Sequence, residues 1–410
     1  MAYLASHRDS LAPALRDRWQ SSGSLTEGTW ERVFGRGAAT EETFMAWHFA
    51  TYVEAVAAAG KRAYPLPMFV NAALIRPGRL PGQYPSAGPL PHLIDVWRAG
   101  APSIDFLAPD IYFPNFVERA RAYARPANPF FVPETGRNPA ATPANALYAF
   151  GELDAMGFSP FAIERFQGED RLGDAYAVLQ QLAPLILEHQ GDEGMVGVRP
   201  PVSFEGVVDT MPQEVRLGDY TLRVGFWNPF AQGPEQGIES RGGLIIQLGP
   251  DEYLVAGCGI TVTFSTSGAI AGIESIWEGN YVKGRWVRGR LLNGDESHQG
   301  RHLRIPEDEF GIQRVRLYRY RWLVRRRDPR PAAQRSTGRA RCRRPSMFGF
   351  GRRRPDYGHR STRPNERNPF IIGHFDGSGA GHGSCSLPEF GKHSRVPVPQ
   401  GVTGHDWRRR

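Results

Sequence analysis

Residues 128–136 read NPFFVPETG, a short apolar run that stops at a carboxylate and a glycine. Four to eight such residues bounded by turn formers predict a buried strand ending at Glu134. Working backwards, NFVERARAYA (115–124) reads as a short helix and IDFLAPDIY (104–112) as another buried strand. HLIDVWRAG (92–100) reads as a helix ending at Gly100, and PLPMFVNAALI (65–75) as an apolar run with the look of a buried strand. Working forwards, Thr142 and Pro143 form an N-cap and first-turn pair for a helix through about Ala155. GFSPFAIE (157–164) is a fourth strand, and a long helix from about Arg171 to Gln190 carries Leu179, Leu182, Leu185 and Ile186 on its apolar face. Regular alternation of strand and helix predicts a parallel sheet with helical crossovers. Four such units are about half of an eight-stranded α/β barrel, which takes roughly 250 residues.

The alternation is framed by two other patterns. Upstream, residues 40–60 predict a helix, with Thr40 as N-cap and Glu41 and Glu42 at the positive end of the dipole. Its apolar face is Phe44, Trp47, Tyr52 and Val56, and Gly60 suits its end. Downstream of Gly191, strand-like runs separated by Gly, Pro and Asp turns predict an antiparallel β-sandwich. These include VRLGDYTLRVGFWN, GGLIIQL, EYLVAGCGITVTFS, YVKGRWVRGRLL and QRVRLYRY. From about Trp322 the chain is rich in Arg, Pro and Gly without hydrophobic period, which predicts disorder. The expected division is therefore a barrel segment at 1–194, a sandwich at 195–321 and a basic tail at 322–410.

Charge follows the same division. Residues 321–410 hold 21 Lys+Arg against 6 Asp+Glu, a net of +15, and the first 320 hold 29 against 36, a net of −7; together they make the formal +8. A whole-chain reading as a nucleic-acid binder therefore describes neither part. The Arg clusters at 325–327, 343–344 and 352–354 lack interleaved aromatics and a recognisable module, so nucleic acid is not the expected partner. The GSGAGHGS stretch at 377–384 lacks the Lys-Ser/Thr of a phosphate loop. Cys258, Cys342 and Cys385 form no zinc or disulfide pattern, and His48 and His92 have no partner at metal spacing. No metal or other cofactor is expected. No membrane-length apolar run or signal peptide is visible, so the default compartment for this chain is the cytoplasm, with a longer parent periplasmic or secreted.

The segments AYPLPMFVNAALIRPG, APSIDFLAPDIYFP, NPFFVPETGRN and GFSPFAIE, in this order, resemble the second half of a glycoside hydrolase family 35 barrel, in its bacterial β-galactosidase-like subgroup. GNYVKGRWVRGRLLNGDESHQGRHLRIP (279–306) resembles the β-domain attached to that barrel, so the likeness covers roughly residues 1–320. It implies a retaining hydrolase of β-galactosides that needs no cofactor. It makes residues 128–134 the seventh barrel strand and Glu134 the nucleophile. The family's acid/base lies in an Asn-Glu pair on the fourth strand, and no such pair precedes the strand at 65–71. The resemblance therefore implies an N-terminally truncated enzyme, inactive by itself, and the abrupt ends suggest a truncated or frame-shifted gene product.

The residues allow further roles. Asn71 ends its strand and either binds a sugar hydroxyl or satisfies loop backbone. Tyr112 offers an aromatic wall or a hydroxyl donor, or belongs to the core, while Asp110 beside it bonds backbone on the simplest view. Phe161 is a sugar platform or core. Glu164 is a rim carboxylate that binds hydroxyls or pairs with Arg165. A carbohydrate-binding protein without catalysis is the alternative function.

Overall fold

The computed structural model describes residues 1–321 apart from Arg137, Pro139, 166–170, Pro229, Phe230 and Pro234. The tail's expected disorder, its arginine clusters, the glycine-rich stretch, Cys342 and Cys385 all lie outside the described residues.

Three short helices, α1 (Ala2–Ser6), α2 (Pro13–Ser21) and α3 (Trp30–Phe34), lead into the 26-residue α4 (Ala38–Ala63). Strand and helix then alternate: β1 (Phe69–Ala73), α5 (Ile94–Gly100), β2 (Phe106–Ile111), α6 (Phe116–Tyr123), β3 (Val132–Thr135), α7 (Thr142–Glu152), β4 (Phe158–Pro160) and α8 (Leu172–His189). The four strands form one parallel sheet in the order β1-β2-β3-β4, with β1 and β4 at its edges. One side of it is buried by helices, through Ala72, Leu107, Ile111 and Val132. The other carries Phe69, Phe106 and Phe131, whose ring centroids lie 5.3–5.9 Å apart, and Phe69 is 42% exposed. The expected buried strand at 65–75 is thus shorter and covered on one side only, because nothing among the described residues lies over its other face.

The helix before β1 departs from expectation in two ways. Thr40 is not its N-cap: Gly37 is, and the buried Thr40 hydroxyl donates to the Phe34 carbonyl at 3.2 Å. The buried face is the alanine stripe Ala46, Ala50 and Ala57. The α5 helix comes so close that a Cβ on Gly100 would meet the Ala50 Cβ at 2.7 Å. Small residues win that face because they permit the approach, and Trp47 packs beside them. Phe44, Tyr52 and Val56, expected in the core, are 45%, 71% and 58% exposed.

Glu42 also does other work than complementing a dipole. It is 2% exposed. It accepts from the Tyr84 hydroxyl at 2.9 Å and the Ala87 N–H at 3.2 Å, and lies 2.8 Å from His92 Nε2. A buried carboxylate needs such partners. Three contacts from one loop fasten the β1–α5 connection to α4. The α7 helix begins at Thr142 with Ala141 as cap, and the Thr142 hydroxyl donates to the Gly136 carbonyl at 3.1 Å, not to a helix-end role.

Ten strands follow: β5 (Met195–Val198), β6 (Gln213–Leu217), β7 (Tyr220–Gly225), β8 (Gly242–Gly249), β9 (Glu252–Cys258), β10 (Ile260–Thr266), β11 (Ile270–Val282), β12 (Arg285–Leu291), β13 (Leu303–Ile305) and β14 (Gly311–Tyr320). They form a four-stranded sheet, β13-β10-β7-β6, and a six-stranded one, β12-β11-β14-β9-β8-β5, both antiparallel. The molecule is thus mixed α/β, with one parallel sheet and two antiparallel ones.

Side chains of the six-stranded sheet alternate between two cores. Ile245, Tyr253 and Val255 face the four-stranded sheet. Leu244, Ile246, Leu254 and Ala256 join the cluster that includes Leu147 of α7 and Leu182 and Ile186 of α8. Burial on both faces explains why GGLIIQL shows no polar alternation. The contact with α7 is close: a Cβ on Gly151 would meet the Leu244 Cβ at 2.7 Å, and one on Gly197 the Glu152 N at 2.7 Å.

Candidate functional site

The polar side chains of the uncovered face gather where β1, β2 and β3 end. Side chains alternate along a strand. Asn71 therefore follows Phe69 on one face of β1, and Asp110 follows Phe106 on the same face of β2. Apolar rings thus occupy the strand starts and polar groups the strand ends. Asp110 and Glu134 are register partners across β2 and β3.

Glu134 is half-buried, and one of its oxygens accepts a short hydrogen bond from the Tyr112 hydroxyl. The bond stabilises the carboxylate as an anion, since the donor hydroxyl is most useful to the charged form. Tyr112 responds in the opposite sense. Its hydroxyl is pushed well above the ordinary range by burial first, then by the hydrogen bond to Glu134 and that group's charge, so it keeps its proton. Gly136 gives the tyrosine room, since a Cβ there would stand 3.4 Å from its ring.

Asp110 does not bond backbone, as the sequence led one to expect. Both of its oxygens accept from the Asn71 side-chain amide, at 2.9 and 2.8 Å. Burial raises the Asp110 carboxyl above its usual range; the Asn71 bond opposes this and the neighbouring Glu134 charge adds to it. Asn71 therefore positions a second acid beside Glu134. The signal was present in the sequence, since Asn71 and Asp110 end successive strands, but only the sheet order makes them neighbours.

Phe161 stands 6.4 Å from Tyr112, ring centre to ring centre, at 62°, and is 56% exposed. It lies just beyond β4, anchored by its N–H to the Thr135 carbonyl at 2.9 Å. Tyr112 is 48% exposed, so neither ring belongs to the core. Glu164 is exposed and pairs with Arg165 at 3.7 Å. It makes no printed contact with the Glu134 group, so four of the five expected site residues are connected and Glu164 is not. A groove of about 350 Å³ adjoins the site through Asn71, running between Phe49 and Tyr52 of α4 and Pro85 of the following loop.

Of the two histidines, His92 is held by Glu42 and His48 lies edge-on to Phe44 at 4.4 Å. Among the described residues, no three His, Cys, Asp or Glu side chains are grouped to hold a metal ion. No helix among them is long and apolar enough to cross a membrane.

Residues 172–304 match the family model of a domain of unknown function, DUF5597. That domain is found in glycoside hydrolase-associated proteins. The match begins with α8, spans most of the antiparallel strands and leaves the Glu134 site outside it. A search of curated proteins gives no match.

Proposed function

We propose that this chain carries the nucleophile-bearing half of a retaining, β-galactosidase-like glycoside hydrolase barrel, of the family 35 type that its sequence resembles. The observation that carries the reading is Glu134: a strand-end carboxylate, held by the Tyr112 hydroxyl on the uncovered face of a parallel sheet. The DUF5597 match over the following strands supports it through that domain's association with glycoside hydrolases.

A retaining mechanism uses two carboxyl groups about 5–5.5 Å apart. Glu134 attacks the anomeric carbon and forms a glycosyl ester as the bond to the leaving oxygen breaks. The second carboxyl gives that oxygen its proton, then takes one from the water that cleaves the ester. Tyr112 keeps Glu134 anionic and fixes its orientation. Asn71 and Asp110 offer hydrogen bonds to sugar hydroxyls, and Phe161 and Tyr112 offer aromatic surface to the ring's C–H face.

Four parallel strands are half of an eight-stranded barrel. The exposed cluster of Phe69, Phe106 and Phe131 is what the packed interior of a closed barrel would bury. The proton donor is assigned to the complementary half. Glu164 sits on the wrong strand and is paired with Arg165, and Asp110 is tied to Asn71.

The experiment is to add a complementary (β/α)₄ half bearing the Asn-Glu pair, treat the complex with a 2-fluoro galactoside and map the labelled peptide. The label is expected on Glu134, and the chain alone should hydrolyse an aryl β-galactoside little or not at all. A label on Glu164 or elsewhere, or full turnover by the chain alone, overturns the reading. A non-catalytic sugar-binding role is the second reading, favoured by the lone uncommitted strand-end carboxylate. It predicts galactose binding without label or turnover.

A further inference from the structure

A cleft of about 430 Å³ opens between the first turns of α8, the loop at 306–310 and β11. Its size falls within the ~300–1,000 Å³ typical of small-molecule sites. Four carboxylates line it, Asp174, Glu278, Asp308 and Glu309, with no lysine or arginine among the described lining residues. Glu278 is neutralised by Arg290 at 3.0 Å. Asp174, Asp308 and Glu309 make no ion pair among the described residues. Arg171, which reaches Phe310 in the cleft wall, is engaged with that ring at 4.8 Å and with the Glu307 carbonyl at 2.9 Å. Uncompensated like charges facing one concavity favour a cation there.

A second observation is independent of charge. Gln313 also lines the cleft and is 2% exposed. Its amide N–H donates to the Arg304 carbonyl at 3.0 Å, but its Oε1 is buried with no partner. A buried acceptor left unpaired is costly, and such groups in folded proteins call for a donor from outside the chain. Charge and orphan acceptor therefore ask for the same thing, a positively charged hydrogen-bond donor. No three of the carboxylates converge on one metal position. The cation is therefore organic.

We propose that this cleft binds a small ligand bearing a protonated primary amine together with further hydroxyl donors, the chemistry of an amino sugar. The ammonium sits between Asp308 and Glu309, and hydroxyls donate to Asp174 and to Gln313 Oε1. The site is separate from Glu134 and stands or falls independently of the hydrolase reading.

The test is titration of the full 410-residue chain with glucosamine hydrochloride at low salt, followed by calorimetry and backbone-amide NMR, with N-acetylglucosamine as the uncharged control. Saturable glucosamine binding is expected, with shifts at Asp174, Glu309 and Gln313 and affinity falling as salt rises. The D308N/E309Q double variant should bind about tenfold or more weakly, as the loss of two charge-assisted contacts requires. Both positions are exposed loop residues, so an unchanged melting temperature checks that the variant still folds. The separate Asp174→Asn change should weaken binding less. Absence of saturable glucosamine binding, equal binding of the neutral control, or full affinity in the double variant overturns the proposal.

Discussion

The parallel sheet and the six-stranded antiparallel sheet are built from similar apolar runs, yet their faces meet different surroundings. In the antiparallel sheet Leu254 is fully buried against the helices and its neighbour Val255 against the opposing sheet. In the parallel sheet only the helix side is closed. Phe69 and the α4 residues Phe49, Tyr52 and Val56 remain exposed, and the polar strand ends around Glu134 lie open. A covered sheet spends its side chains on stability. An uncovered one keeps polar groups at its strand ends, where a ligand reaches them, at the cost of apolar surface left in water.

The sharpest way to break this comparison is at Glu134. In the complemented enzyme, Glu134→Gln keeps the shape but removes the attacking charge. Its kcat should fall by several orders of magnitude, beyond the ~10²–10⁴ typical of losing acid–base help alone. Galactose affinity, measured by calorimetry, should change little, because the hydroxyl contacts come from other strand ends. A variant that keeps most of its rate would remove the functional half of the contrast.

On the covered side, Leu254→Ala should destabilise by about 2–5 kcal/mol, the range for a large-to-small change in a closed core. Denaturant unfolding monitored by tryptophan fluorescence measures it. A loss below about 1 kcal/mol would mean that this sheet is less tightly enclosed than its burial indicates.

A smaller effect is expected at Glu42, which joins α4 to the loop beside the open sheet. Burial works to raise its carboxyl, but the His92 contact, the Ala87 N–H and the Tyr84 hydroxyl together bring it below the ordinary value of 4.5. A depressed folded-state value stabilises the fold above the unfolded-state value, and that contribution is lost as pH falls through the folded one. Melting temperature should therefore decline on acidification below about pH 4.5, the unfolded reference, and the decline should be shallower in Glu42→Gln. Parallel curves for the two proteins would show that Glu42 gains nothing from its partners.

The smallest effect belongs to the open side. Tyr52→Ser should change the unfolding free energy of the chain by no more than ~0.5 kcal/mol, as for other exposed positions. It should nonetheless reduce aggregation seen by light scattering, since it shrinks the exposed apolar stripe. A large destabilisation would show that this stripe packs against something in the folded chain.

Much of the architecture was written locally. The alternation from PLPMFVNAALI to the helix ending near Gln190 specified parallel strands, because each run has the length and boundaries of one element. Glycine-punctuated runs after Gly191 specified antiparallel ones in the same way. Glu134, Tyr112 and Asn71 were recognisable as strand-end groups, since position along a strand is a local property.

Contacts between elements were not written there. Hydrophobicity marked Phe44, Tyr52 and Val56 as the core face of α4, but close approach to Gly100 selected the alanine stripe instead. Thr40 and Glu42 had the composition of a helix start, yet Gly37 takes the cap and a distant loop claims the carboxylate. The Asn71–Asp110 pair and the Tyr112–Glu134 bond exist because sheet order sets strand ends side by side. Local sequence fixes which dihedrals and faces a segment prefers. Only tertiary packing decides what each face meets, because burial and hydrogen bonding depend on partners tens of residues away.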